Sequence, residues 1–160
     1  MNPELKRRVL EVYAAVDRAV AAAGPRCDAS GRCCRFTEYG HTLFLSHFEA
    51  ELLLESAPPF AQPVSRDACP FQVDNLCTAR ESRPLGCRIY FCDERYTETG
   101  SRITEDALRE LKRIANVHGE DWRYAPLHVF LNEADRPQDV PAPTMTPARP
   151  RGLRLSLPVV

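Results

Sequence analysis

Residues 27–36 read CDASGRCCRF, a stretch that holds three cysteines, two of them adjacent. Four more cysteines follow, in CPFQVDNLC (69–77) and RPLGCRIYFC (83–92). The chain contains no Cys-x-x-Cys pair, which disfavours zinc ribbons and thioredoxin-type redox sites. The spacing instead indicates a site assembled from separate loops, so we expect long cysteine-bearing loops around a metal site.

Composition limits the possible classes of protein. The chain has 160 residues, of which 44% are apolar and 27% charged, with a net charge of -1, values typical of one globular domain. This charge predicts no nucleic-acid partner. The N-terminus has no uninterrupted apolar core and no stretch is long enough for a membrane span, so we expect a cytoplasmic protein without a membrane partner. No protein partner can be named from the sequence.

Three helices are predicted from apolar spacing and capping residues. The first opens the chain with an amphipathic pattern and stops at Gly24. Ser46 is predicted to begin a short helix, with Glu49 placed for a capping box. Thr104 is predicted to cap another helix that continues to about His118.

The remaining elements are short. HTLFL (41–45) and PLHVFL (126–131) have extended character, and the Asp-Asn pair within 69–77 predicts a tight hairpin. Together with the helices, these elements predict a small α+β domain over residues 1–135. Residues 136–160 contain six of the fourteen prolines and are predicted to form an extended tail.

In the cytoplasm thiols stay reduced, so the seven cysteines indicate metal or redox chemistry before disulfides. Thiolates select zinc, copper(I) or iron–sulfur clusters over hard cations. Several arginines lie within two positions of a cysteine, and an arginine beside a thiol is expected to lower its pKa. His41 follows the first cysteines closely enough to substitute as a ligand, whereas Cys92 is the most dispensable thiol. The predicted metal ligands are Cys27, Cys33, Cys34, Cys69, Cys77 and Cys87.

The combined motif resembles the YkgJ-type cysteine-cluster family, which is described as a zinc- or iron-chelating domain. The family pattern is Cys-x-x-Cys-Gly-x-Cys-Cys, then Cys-Pro, a further cysteine, and Arg-Pro-x-x-Cys-Arg. The likeness covers residues 27 to about 92 of this chain. One departure is visible, because Ser30 stands where the family often has its second cysteine.

Three functions follow as hypotheses. The preferred one is a protein that holds a [4Fe–4S]-type cluster, because such clusters take four thiolates at widely varying spacings. The second is a zinc protein with the same ligands, in which Zn²⁺ stabilises a loop-rich core. The third is an enzyme that uses the cluster for redox or group-transfer chemistry, with a leftover cysteine as a reactive thiol.

Overall fold

The computed structural model describes residues 1–135, which form one small α+β domain, as predicted. None of the helices in this part of the chain is both long and apolar enough to span a bilayer. The predicted tail (136–160) lies outside the described residues. In chain order the elements are α1 (Pro3–Ala23), β1 (Phe44–Ser46), α2 (His47–Ser56), β2 (Gln72–Val73), β3 (Leu76–Cys77), α3 (Leu85–Ile89), α4 (Thr97–His118), β4 (Tyr124–Pro126) and α5 (Leu127–Glu133).

Helix α1 forms as its amphipathic pattern predicts. The Asn2 side chain accepts a hydrogen bond from the Leu5 amide at 2.8 Å, which satisfies one of the free donors of the first turn. Gly24 ends the helix in the left-handed conformation at φ 60°, which glycine adopts without a steric penalty. The helix packs mainly against α4 and α3.

Helix α2 begins with the predicted capping box. The Ser46 side chain accepts from the Glu49 amide, and the Glu49 carboxylate accepts from the Ser46 amide at 2.8 Å. Both residues are buried. The helix is apolar on two sides, because Phe48 packs toward α1 and α4 whereas Leu53 packs toward the cysteine loops.

The predicted start of α4 at Thr104 is wrong, because the helix begins at Thr97. Asp93 accepts a hydrogen bond from the Arg95 amide and caps a 3₁₀ turn that leads directly into α4. Gly100 lowers the helical propensity of the first turns, but its lack of a Cβ leaves room for the Tyr96 ring, which would lie 2.9 Å from such an atom. Thr104 lies within α4 and not at its start, and its hydroxyl donates to the Gly100 carbonyl.

The strands form two separate two-stranded antiparallel sheets, β1 with β4 and β2 with β3. The prediction of an extended segment over 126–131 is wrong, because α5 starts at Leu127. Leu127, Phe130 and Leu131 follow helical rather than alternating spacing and are all buried. Of the strand predicted over 41–45, only the last two residues belong to an observed strand, β1.

Two hydrophobic cores lie on opposite sides of α2. The helical core contains the buried faces of α1 and α4 together with parts of α2 and α3. The loop core contains the buried residues of the cysteine loops together with β1, α5 and the other side of α2. The buried cysteines Cys34 and Cys69 belong to the loop core, with Cys77 and Cys87 packed against it.

Candidate metal centre

A small cavity of about 40 Å³ lies within the loop core. Five of the six predicted ligands line it: Cys33, Cys34, Cys69, Cys77 and Cys87. Its other walls are mostly apolar and consist of Leu43, Leu53, Phe71, Ala79, Arg83, Pro84 and Leu127. A water needs roughly 10–15 Å³ of such space, so the cavity has room for an ion.

The first cysteine loop is fixed by a glycine and by the hairpin. Gly31 has φ 71° and precedes the 3₁₀ turn that carries Cys33 and Cys34. A Cβ at Gly31 would collide with the Gln72 side chain, whose amide donates to the Gly31 carbonyl at 2.8 Å. The Cys69 amide donates to the Cys34 carbonyl at 2.8 Å, so the two segments are joined by backbone as well as side-chain bonds.

The predicted hairpin within 69–77 is confirmed. Asp74 and Asn75 occupy its turn with φ of 49° and 66°, a conformation that these two residue types tolerate better than most. Cys77 pairs with Gln72 in the ladder. The turn therefore returns Cys77 to the side of the cavity where Cys69 lies.

Cys87 reaches the cavity from α3, a helix of only five residues. Pro84 precedes this helix and offers no side-chain cap. The Leu85 amide instead donates to the buried Glu49 carboxylate at 2.8 Å. The capping residue of α2 thus also holds the start of the helix that carries Cys87.

The thiols influence one another's protonation. The sulfur atoms of Cys33 and Cys34 lie 3.9 Å apart, and their hydrogen bond together with burial raises the pKa of Cys33. That bond lowers the pKa of Cys34, but the hydrogen bond with Cys69, burial and the neighbouring thiols outweigh it and raise this pKa to about 12. Burial, followed by the nearby thiols, raises the pKa of Cys87 well above its ordinary value. Without metal, these three thiols are therefore neutral at physiological pH.

Two of the arginines beside cysteines in the sequence, Arg35 and Arg88, hydrogen-bond to backbone carbonyls and not to a thiol. Arg35 donates to the Ser30 carbonyl at 2.6 Å, and Arg88 donates to backbone carbonyls of its own loop. Arg83 lines the cavity and opposes the rise in the pKa of Cys87, though burial and the other thiols outweigh it. Sequence reasoning did not assign this residue to the site, although its place four positions before Cys87 was a usable signal.

Three residues that the sequence analysis considered do not line the cavity: Cys27, Cys92 and His41. Cys27 is exposed. Cys92 lies with its sulfur 3.9 Å from the Ser30 hydroxyl. His41 stacks on Tyr90 with ring centroids 5.0 Å apart, and its Nδ1 is buried without a hydrogen-bond partner among residues 1–135.

The donor set fits a soft metal in type and in number. All seven cysteines are free thiols in the described part of the chain, and five of them face one cavity. As they stand, no three His, Cys, Asp or Glu side chains of residues 1–135 are arranged so that they could hold a metal ion. Ligation therefore requires the thiol side chains to rearrange around the cavity and to lose their protons.

Comparison of the chain with protein-family models, with curated proteins and with solved structures found no match.

Proposed function

We propose that this protein binds a thiolate-ligated metal centre in its cysteine-lined cavity. The observation that supports this proposal is the meeting of five thiols, contributed by three separate chain segments, at one cavity. Four thiolates complete the coordination of a zinc ion or of an iron–sulfur cluster. Cys34, Cys69, Cys77 and Cys87 supply four thiols from well-separated backbone positions, and Cys33 supplies a fifth.

The first occupant we propose is a [4Fe–4S]-type cluster, held by four of these thiolates. Iron–sulfur clusters accept ligands from dispersed loops, and these ligands come from a 3₁₀ turn, a hairpin and a short helix. The apolar walls, which include Leu43, Phe71 and Leu127, limit the access of solvent. Burial of this kind tunes the potential of a redox centre.

Zinc is the second candidate, and one distance favours it. The sulfur atoms of Cys33 and Cys34 are 3.9 Å apart. Ligand sulfurs around a tetrahedral zinc ion at about 2.3 Å are about 3.8 Å apart. The pair is thus already spaced as two ligands of one ion.

We also propose that the protein works in the cytoplasm. Reducing conditions there keep thiols available as ligands, and all seven cysteines are free in residues 1–135.

The first test is elemental analysis and a visible spectrum of protein purified without oxygen. Iron with acid-labile sulfide, and a brown absorption that bleaches on reduction, would support the cluster. Colourless protein with one equivalent of zinc would support the second candidate. Protein that holds neither metal, and that takes up neither after supply of zinc or of iron and sulfide, would contradict the proposal.

A pair of cysteine variants localises the centre. Cys87→Ser is expected to lose the metal and to melt at a lower temperature, because metal-binding energy contributes to folding. Cys92→Ser is the matched control, since Cys92 does not line the cavity, and it should keep the metal. Full metal content and unchanged melting in Cys87→Ser would remove Cys87 from the ligand set.

A further inference from the structure

Arg88 follows Cys87 in the chain, but its side chain binds backbone carbonyls. Its Nε donates to the Arg83 carbonyl at 2.7 Å and its Nη2 donates to the Glu81 carbonyl at 2.9 Å. These bonds close the loop that leads into α3. The guanidinium suits this role because its donors form a rigid, planar fork.

The same guanidinium is also attached to α1. Its Nη1 donates to the Asp17 carboxylate at 2.6 Å, and the group lies over the Tyr13 ring, 4.4 Å from the centroid. The Arg88 side chain is only 11% exposed. It thus spans from the helical core to the loop that bears Cys87.

The loop and α3 have other restraints as well, because Leu85 and Ile89 are buried in the helical core and Arg83 Nη1 donates to the Cys87 carbonyl at 3.5 Å. Helix α3 is five residues long and has no side-chain cap, and isolated helices of this length are not stable in water. The bond from the Leu85 amide to Glu49 holds the start of the helix. Arg88 holds the part of the loop that precedes it.

We propose that Arg88 is a positioning residue for Cys87, which it holds at the cavity wall by fixing α3 and the preceding 81–84 loop against α1. This inference rests on the proposed function, in which Cys87 is a metal ligand. Residues that orient metal ligands typically change metal affinity by about 10–100-fold when they are substituted. Arg88 acts in this way through carbonyls rather than through the thiol itself.

The first experiment uses the metal-free protein and measures the alkylation rate of each cysteine by iodoacetamide and mass spectrometry. In Arg88→Gln, Cys87 is expected to react about 10-fold faster, because its loop opens locally. Cys34 and Cys69 should keep their wild-type rates. Arg95→Gln is the matched control, because the Arg95 side chain is 85% exposed and bonds to Asp93 at the surface.

The second experiment measures zinc affinity by competition with a chelator. Arg88→Gln is expected to bind zinc about 10–100-fold more weakly than wild type, with the control unchanged. Arg88→Lys keeps the charge but not the fork, so it should recover little of the affinity. It also replaces Arg88→Gln in both experiments if that variant does not fold.

Two results would overturn the role of Arg88. One is an equal rise in the reactivity of all buried cysteines, which would mean general loosening of the protein. The other is an unchanged rate at Cys87. A wild-type protein that binds neither zinc nor a cluster would contradict the proposed function. The alkylation test of Arg88 would still be valid, because alkylation requires no metal.

Discussion

The two cores of this protein are built in different ways. The helical core is formed by long helices with regular apolar spacing, and none of its residues among those described is a cysteine. The loop core is formed by short elements and irregular segments, with Cys34 and Cys69 among its buried residues. The first core is stabilised mainly by burial of apolar surface. The second combines burial of apolar residues with side-chain bonds to backbone groups and, in our proposal, with a metal.

The largest effect is expected in the helical core. Leu111 is fully buried, and Leu111→Ala should lower the free energy of unfolding by about 2–5 kcal/mol through lost burial and a residual cavity. Urea unfolding with and without a chelator measures the cost, which should be the same in both cases. Val117→Ala, at a residue that is 68% exposed, is the control and should change stability by less than about 0.5 kcal/mol. A cost at Leu111 that disappears after chelation would mean that the cores are not distinct.

Metal removal should act on the loop core. At a free metal concentration of 100 times Kd, bound metal contributes about 2.7 kcal/mol to stability, which chelation removes. Thermal unfolding before and after chelation measures the difference. Cys69→Ser, which removes a buried thiol from the cavity, should have the lower stability from the start and should not respond to the chelator. A chelator response in this variant equal to that of wild type would argue against Cys69 as a ligand.

A smaller effect is expected at the capping box between the two cores. The Ser46 hydroxyl donates to the Glu49 carboxylate at 2.8 Å, so Ser46→Ala leaves a buried carboxylate with fewer donors. The loss should be about 1–2 kcal/mol, measured by urea unfolding. Ser46→Thr keeps the hydroxyl and should retain most of the stability. Equal losses in both variants would mean that the hydroxyl, which Ser46→Thr keeps, does not account for the loss.

The smallest effect is a loss of stability of the metal-free protein in mild alkali. The pKa of Cys34 rises from an ordinary value of 9.0 to about 12 on folding. The stability contributed by its neutral form is therefore complete below pH 9 and is lost as the pH rises toward 12. One such group changes stability by at most about 1.4 kcal/mol per pH unit. Urea unfolding at pH 8, 9 and 10, under reducing conditions, should show a steeper decline in wild type than in Cys34→Ala, and parallel profiles would contradict the assignment.

Sequence reasoning succeeded where short-range rules decide the structure. Ser46 and Glu49 form their capping box, and Gly24 ends α1 in the left-handed conformation. It failed where tertiary contacts compete with those rules. Gly100 disfavours an early start of α4, but packing of Tyr96 against it makes that start possible.

The same division applies to the candidate site. Sequence spacing identified the five thiols that meet at the cavity, because cysteine clusters are rare and specific signals. Sequence spacing could not show that Cys27 lies away from the cavity, because the exposure of this residue depends on the path of its loop. Leu127 and Leu43 carry no chemical signal, and they join the cavity only because the Leu127 amide donates to the Leu43 carbonyl at 2.8 Å beside the pairing of β1 with β4.

Helix α2 is shared by the two cores, with Phe48 on one side and Leu53 on the other. If the cysteine loops open without metal, α2 remains packed on α1 by one side only. Its amides should then exchange with deuterium at a rate between those of the interior of α4 and those of the hairpin. On metal binding, protection should rise first in the hairpin and α3 and then in α2. Hydrogen exchange in α2 would thus measure how far the stabilisation by metal extends from the cavity into the rest of the domain.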